Sequence, residues 1–182
     1  KQQYFFVAAG LNSIIRAHLR VYPDLTNFAD KNVIQLNDTH PVLVIPELMR
    51  IFMDEYDMGW DESWEIVKHT CAYTNHTILA EALEKWPIDV MRDLLPRIYQ
   101  IIEEIDRRFV GFVKMKTDGD EEILRKVRIL KDGQVHMANL AIAGSFSVNG
   151  VAALHTEILK TREMKEFNDL FPGKFNNKTN GV

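Results

Sequence analysis

Three polar strings carry the residue types that chemistry needs. The first is Gln35-Leu36-Asn37-Asp38-Thr39-His40-Pro41, which follows the apolar, strand-prone Val33-Ile34. A carboxylate and an imidazole two positions apart could serve as acid and base, or hold sugar hydroxyls. Ligands of open α/β sheets settle beyond the carboxyl ends of strands, and this string falls there. The plainer reading is that Asn37, Asp38 and Thr39 cap a helix and that His40 is a surface residue. The second string, Tyr73-Thr74-Asn75-His76-Thr77, sets hydrogen-bonding side chains at every position between Ala72 and Ile78. Such a cluster is costly to bury unless each group is paired, internally or by a ligand. Asn, His and an aromatic face suit sugar hydroxyls; a strand-to-helix connector is the alternative. Glu81 and Glu84 follow at helical spacing and, taken alone, read as a solvated face. The third string, from Ala143-Gly144-Ser145 to Val148-Asn149-Gly150-Val151, sets two glycines among small side chains. It permits close backbone approach to another segment or to a ligand, with tight helix packing as the plainer account. It is no phosphate-binding fingerprint, because neither G-x-G-x-x-G nor a P-loop lysine is present.

Other candidates read as structural. His155 shares a helical face with Val151, Leu154 and Ile158, which suits a satisfied core histidine. His18, His69 and His136 have no neighbours at metal-ligand spacing. Cys71, the single cysteine, sits between Thr70 and Ala72 and reads as a small buried hydrophobe. No nucleophile elbow and no Cys/His pairing is present.

The elements that would position these groups are mostly helical. Residues 4 to 20 place Phe5, Val7, Ala8, Leu11, Ile14, Ile15 and Leu19 close to a 3.6-residue period. Pro23 and Asp24 to Asp30 read as a loop. Val33 to Leu36 reads as a buried strand, and Pro46 suits the first turn of a helix from Glu47 to about Tyr56. Asp61 can cap a helix running through Trp64 and Val67, and Ile78 to Lys85 reads as helical. After Pro96, the positions Ile98, Ile101, Ile102, Ile105, Phe109 and Phe112 mark a long core-facing helix, with Glu103-Glu104 on its solvated side. Asp132-Gly133 between Val127-Arg128-Ile129 and Val135 predicts a small hairpin. Met137 to Val151 is a run of small residues, followed by a helix to about Lys160. Phe171 to Val182 reads as loop or extended chain. The strand near residue 34 makes the class α/β, helix-dominated, rather than all-α.

Composition bounds the function. The chain has 182 residues, 46% apolar and 26% charged, and carries −4 at pH 7. That is the mix of a soluble globular domain, and mild acidity argues against nucleic acid as partner. No apolar run approaches the roughly 20 residues that span a bilayer, and no leader precedes the first helix, so a cytoplasmic setting is expected. The length allows one domain with a sizeable core or a piece of something larger. A start at Lys1 inside a helical pattern and an end at Asn180-Gly181-Val182 without a closing element favour the piece.

Jointly, several strings resemble the α-glucan phosphorylases, the family of glycogen, starch and maltodextrin phosphorylases. They are Val33 to Pro41, Pro46-Glu47-Leu48-Met49-Arg50, Ala72 to Thr77, Glu81-Ala82-Leu83-Glu84-Lys85-Trp86-Pro87, Leu94-Leu95-Pro96-Arg97, Val148 to Ala152, and Asn177-Lys178-Thr179-Asn180-Gly181, all in family order. The resemblance covers essentially the whole chain. It implies a single partial domain over 1–182: the later part of the N-terminal, Rossmann-like lobe of a GT-B type glycosyltransferase. The active site then lies in the cleft against a second, cofactor-bearing lobe outside this chain. The implied reaction is reversible phosphorolysis of α-1,4-glucan, in which orthophosphate takes the terminal glucosyl unit as α-glucose 1-phosphate with retention. The implied cofactor is pyridoxal 5′-phosphate, whose lysine belongs to the second lobe, so the chain alone would be inactive. A homodimer is implied as well. A stand-alone carbohydrate-binding or interaction domain without catalysis is the alternative.

Carried over by position, the resemblance has His76 bind the glucosyl 6-hydroxyl, partly through its main-chain carbonyl, with Asn180 holding it from the other side. Asp38 and His40 would line the cleft that admits glucan. Tyr73, Glu84 and Val151 would complete the sugar pocket. No catalytic residue is implied within the chain. Phe146-Ser147 stands where many members carry His-Ala, which leaves no assigned role there. Arg16-Ala17 stands where animal members carry Arg-Arg at an AMP site, and the Val21–Asp30 loop is short. A lone Arg loses half of the charge-assisted contacts to a phosphate, so weak AMP activation and a bacterial pattern are expected.

Overall fold

The computed structural model describes residues 1–181; Val182 lies outside them. Four parallel strands form the central sheet: β1 (Ile34–Asn37), β2 (Cys71–Thr74), β6 (Ser147–Gly150) and β7 (Phe175–Asn177), in the order β1-β2-β6-β7. Parallel neighbours need long crossovers, and helices fill them. α1 (Gln2–Leu19) and the one-turn α2 (Phe28–Lys31) precede β1, while α3 (Val44–Arg50) and α4 (Trp60–Thr70) lead to β2. The long crossover from β2 to β6 contains α5 (Ile88–Leu94), α6 (Pro96–Lys116), α7 (Glu121–Val127) and α8 (Met137–Ala143). It also contains an antiparallel sheet of β3 (Lys85–Pro87), β4 (Leu130–Lys131) and β5 (Gln134–His136), ordered β3-β5-β4. α9 (Ala153–Ile158) and α10 (Lys165–Leu170) join β6 to β7. The class is α/β and helix-dominated, as the sequence predicts.

The core forms where the helical stripes meet the sheet. Val44 to Met49 of α3 are all buried, and Val7, Leu11 and Ile15 of α1 and Ile98, Ile101, Ile102 and Ile105 of α6 are buried as well. α3 carries Glu47 into this core at 1% exposure. Tyr4 Oη donates to the Glu47 carboxylate at 3.0 Å, and Arg50 grips it through two bonds of 2.9 Å. A carboxylate survives burial only with such partners. Asp106 of α6 is 3% exposed and accepts the N–H groups of Ile129 and Leu130 at 2.9 and 3.1 Å, plus Arg128 Nη2 at 3.1 Å. This carboxylate staples the β4–β5 hairpin to the long helix. The hairpin turns at Asp132 (φ 53°) and Gly133 (φ 70°), the paired positive dihedrals that a two-residue primed turn needs.

Several expectations are corrected. The 24–30 loop runs into α2 because Phe28 is fully buried, its ring 5.1 Å from His18 and 5.5 Å from Phe52. β1 is a sheet edge among the described strands, with Leu36 buried and Val33 65% exposed. The helix expected from Glu47 starts at Val44 and loosens into a π-helical turn, Ile51–Glu55. Asp61 caps nothing: Gly59 holds the N-cap position of α4, and Asp61, in its first turn, pairs with Arg108. Ile78 to Lys85 is not a helix but a 3₁₀ turn at Ala80–Ala82 and then β3, whose pairing with β5 overrides the weak helical pattern. The final stretch holds β7. Leu154, expected on a core face with His155, is 74% exposed.

Candidate functional site

The parallel strands end at one edge, at Asn37, Thr74, Gly150 and Asn177. The polar strings leave the sheet there together. Beneath the rim lies a closed hydrogen-bond network. Gln35 Nε2 donates to Thr74 Oγ1 at 2.8 Å, and Thr74 Oγ1 donates to Asn149 Oδ1 at 2.8 Å. Asn149 Nδ2 donates to the Gly150 carbonyl at 3.0 Å, and the Asn149 carbonyl accepts the Asn75 N–H at 2.9 Å. Asn75, fully buried, donates to the Tyr73 hydroxyl at 3.0 Å and accepts the Thr77 N–H at 3.0 Å. His155 Nδ1 accepts the Val151 N–H at 3.1 Å, which leaves the proton on Nε2 to be donated to Asn75 Oδ1 at 3.2 Å. The network ties β2, β6 and α9 into one rigid base.

Each predicted site residue has a definite place on this base. Asp38 closes β1 in the left-handed region at φ 66°, which short polar side chains tolerate. Its N–H donates to the Thr74 carbonyl at 3.0 Å, and its Oδ1 accepts the Thr39 N–H. The helix-cap reading of Asn37 to Thr39 fails, because the N-cap position of α3 is Leu43. His76 is exposed and donates through Nε2 to Asn37 Oδ1 at 2.6 Å, which bridges the loops after β1 and β2. Among the described residues nothing donates to the His76 carbonyl. Asn180 is exposed, and its N–H donates to the Val151 carbonyl at 3.0 Å while its side-chain amide is free among the described residues. Val151 thus bonds both His155 and Asn180 through its backbone.

Glu84 is not on a solvated face. Its carboxylate accepts Gln3 Nε2 and Trp86 Nε1 at 2.9 Å each and Thr39 Oγ1 at 2.8 Å. His40, with its side chain 71% exposed, lies 3.9 Å from the same carboxylate. Tyr73 is corrected in the other direction: at 0% exposure its phenol props Asn75 from below and offers no surface to a ligand. Burial raises the Tyr73 pKa, so the hydroxyl stays protonated. Burial likewise pushes the Cys71 thiol up to about 12, in keeping with a structural cysteine.

The packing glycines have one role each. A Cβ on Gly144 would stand 2.7 Å from Ile45 Cδ1, and one on Gly150 would meet Thr156 Oγ1 and stand 3.0 Å from Thr156 Cα. The third string therefore serves close packing of β6 against α9 and of α8 against α3. Beside the rim, His76, Ile78, Leu79, Leu154 and His155 line an open trough of about 450 Å³. Sequence reasoning missed Asn37, Asn75 and Asn149 as the residues that build the base. The signal available was three asparagines, each within one residue of the end of a separate strand. No cluster of three or more metal-ligating side chains occurs among the described residues.

Comparison with known proteins decides the family. A family model described as carbohydrate phosphorylase matches residues 1–182. The chain belongs to that family. It is 54% identical over 182 residues to a glycogen phosphorylase of Bacillus subtilis (strain 168). It is 50% identical over 193 aligned positions to the muscle forms of glycogen phosphorylase from Homo sapiens and Bos taurus. Each match covers all of this chain and 23% of the relative, so the chain spans about a quarter of the length of these curated relatives. No helix among the described residues is long and apolar enough to cross a membrane.

Proposed function

We propose that the intact protein is an α-glucan phosphorylase and that this chain lines the part of its cleft that holds the terminal glucosyl unit. In the reaction, an oxygen of orthophosphate bonds to the anomeric carbon as the glycosidic C–O bond breaks. The departing 4-oxygen takes the proton that the attacking phosphate gives up, and α-glucose 1-phosphate leaves with retained configuration. One observation carries the assignment of the chain's share. The engaged polar groups form a rigid base, while among the described residues the His76 carbonyl and the Asn180 amide stay free on the loops after β2 and β7, at one sheet edge.

On this reading the His76 carbonyl accepts the hydrogen of the glucosyl 6-hydroxyl, and the Asn180 amide holds the same group from the other side. Asn37 fixes the His76 ring so that the carbonyl is preset rather than ordered on binding. Asp38 and His40 face the entering glucan, and Glu84 keeps Thr39, and through it the Asp38 turn, in place. Val151 acts through its backbone, and Tyr73 acts only through Asn75. Neutral, positioned donors and acceptors suffice for these roles, each worth about 0.5–1.5 kcal/mol.

The resemblance assigns pyridoxal 5′-phosphate to a lysine outside this chain, where its phosphate would relay a proton to the substrate phosphate. Lys178, the lysine nearest the rim in sequence, is bonded to Asn176, and no residue here is assigned to the cofactor. The same resemblance supports a cytoplasmic homodimer of bacterial pattern over a GT-B lobe, with this chain as part of its N-terminal half. The test is phosphate-dependent release of glucose 1-phosphate from maltooligosaccharide by the intact protein. Release of the α-anomer is expected. Binding of maltooligosaccharide without any release would replace this reading with that of a carbohydrate-binding module.

A further inference from the structure

A second pocket, away from the strand-end rim, has a charge pattern that the sugar site does not use. It lies between β3, the β4–β5 hairpin, α7, α8 and the π-helical turn Leu159–Glu163, and encloses about 320 Å³. Lys85, Lys126, Lys131 and Arg162 line it, against two carboxylates, Glu163 and Glu166. Glu166 is bound by Lys126 at 2.7 Å. Lys131 is held in place by the Arg125 and Lys126 carbonyls at 3.3 and 2.9 Å. Among the described residues neither Lys85 nor Arg162 has a carboxylate or carbonyl partner. The walls between the charges are apolar, from Leu83, Val127, Met164 and Phe167.

This is an excess of positive charge in a chain whose net charge is −4. His136 and Lys131 both line the pocket. Burial and the nearby Lys131 and Lys85 push the His136 imidazole down to about 4, and its Nε2 is buried without a partner. Burial also lowers the Lys131 ammonium, with the Asp132 carboxylate opposing and Lys85 and Arg125 adding to the fall. Lys85 and Arg162, without partners among the described residues, are donors of the kind that grip phosphate. The volume exceeds that of a bare phosphate and has apolar walls for a small organic group.

We propose that this pocket binds a small phosphate monoester as its dianion, with Lys85 and Arg162 gripping the phosphate and Lys131 behind them. The ligand would tie β3, which carries the chain into Glu84, to the π-helical turn and thereby stiffen the sheet that positions the rim. The sources to separate are free orthophosphate and a phosphate ester.

The experiment is site-resolved acetylation of the intact protein, read by peptide mass spectrometry, with methyl phosphate or inorganic phosphate as probe. Exposed Lys116 of α6 is the internal reference. Millimolar methyl phosphate is expected to slow Lys85 modification by roughly threefold or more while Lys116 is unchanged. Arg162→Ala, at an exposed position that folding does not need, is expected to raise the protecting concentration by roughly threefold or more. Protection by inorganic phosphate but not by methyl phosphate would overturn the monoester. No selective protection, equal protection by chloride at matched ionic strength, or an unshifted Arg162→Ala midpoint would overturn the pocket as the site.

Discussion

The Glu84 carboxylate shows how one residue can hold a site without touching a ligand. It receives Gln3, Thr39 and Trp86, and a carboxylate accepts all three because it has no donor of its own. Glu84→Gln turns an NH₂ toward at least one of these donors, so unfolding free energy is expected to fall by about 1–3 kcal/mol. Denaturant titration of the intact protein checks this, and an unchanged midpoint would contradict it. Gly150→Ala should cost about 1–3 kcal/mol through overpacking against Thr156. Adding Thr156→Ala should restore part of that loss in the same titration, because the clashing hydroxyl is gone. The rim strings were legible in the sequence because Asn, Asp, Thr and His gather there in an otherwise apolar context. The division of labour within them was not legible. Tyr73 and His76 lie three residues apart, yet Tyr73 is sealed inside β2, between β1 and β6, while His76 lies past the strand end and faces solvent.

At the scale of elements, legibility followed whether the signal was local. α1 and α6 were readable from their periodic apolar stripes, and the hairpin from Asp132-Gly133, because each encodes its own geometry. β7 was readable only as extended chain, and β3 was read as helix, since three-residue strands take their structure from β6 and β5 rather than from their own residues. The hairpin couples to pH through His136. Its folded pKa near 4 lies below the ordinary 6.5, so the unfolded chain takes the proton first as pH falls. The contribution is present above 6.5 and is lost between 6.5 and 4. Denaturation midpoints of the intact protein should therefore fall across that window, and His136→Gln should flatten the fall. An unaltered slope in the variant would remove His136 as the cause.

The whole chain is about a quarter of the length of the Bacillus subtilis and human glycogen phosphorylases that it resembles. Two lines bear on regulation and reactivity at this scale. Arg16 and Ala17 lie exposed on α1 with a single guanidinium between them, so AMP should stimulate the intact protein by less than roughly twofold. A several-fold stimulation in the phosphorolysis assay would contradict that. Cys71, buried with its thiol pushed up to about 12, should resist alkylation at pH 8 until the protein is unfolded. Its sign in linkage is the reverse of His136: the contribution holds below pH 9 and is lost as pH rises toward 12. The central claim is that the loops after β2 and β7 hold the transferred glucosyl unit. The most direct measurement is kcat/KM for phosphorolysis by the intact protein carrying His76→Ala or Asn180→Ala. A loss of roughly tenfold or more in each, with the denaturation midpoint retained, is predicted: Asn180→Ala removes the amide from the sugar, and His76→Ala removes the bond to Asn37 that presets the residue-76 carbonyl. Kinetics within roughly twofold of the unaltered protein in both variants would take the sugar away from this rim.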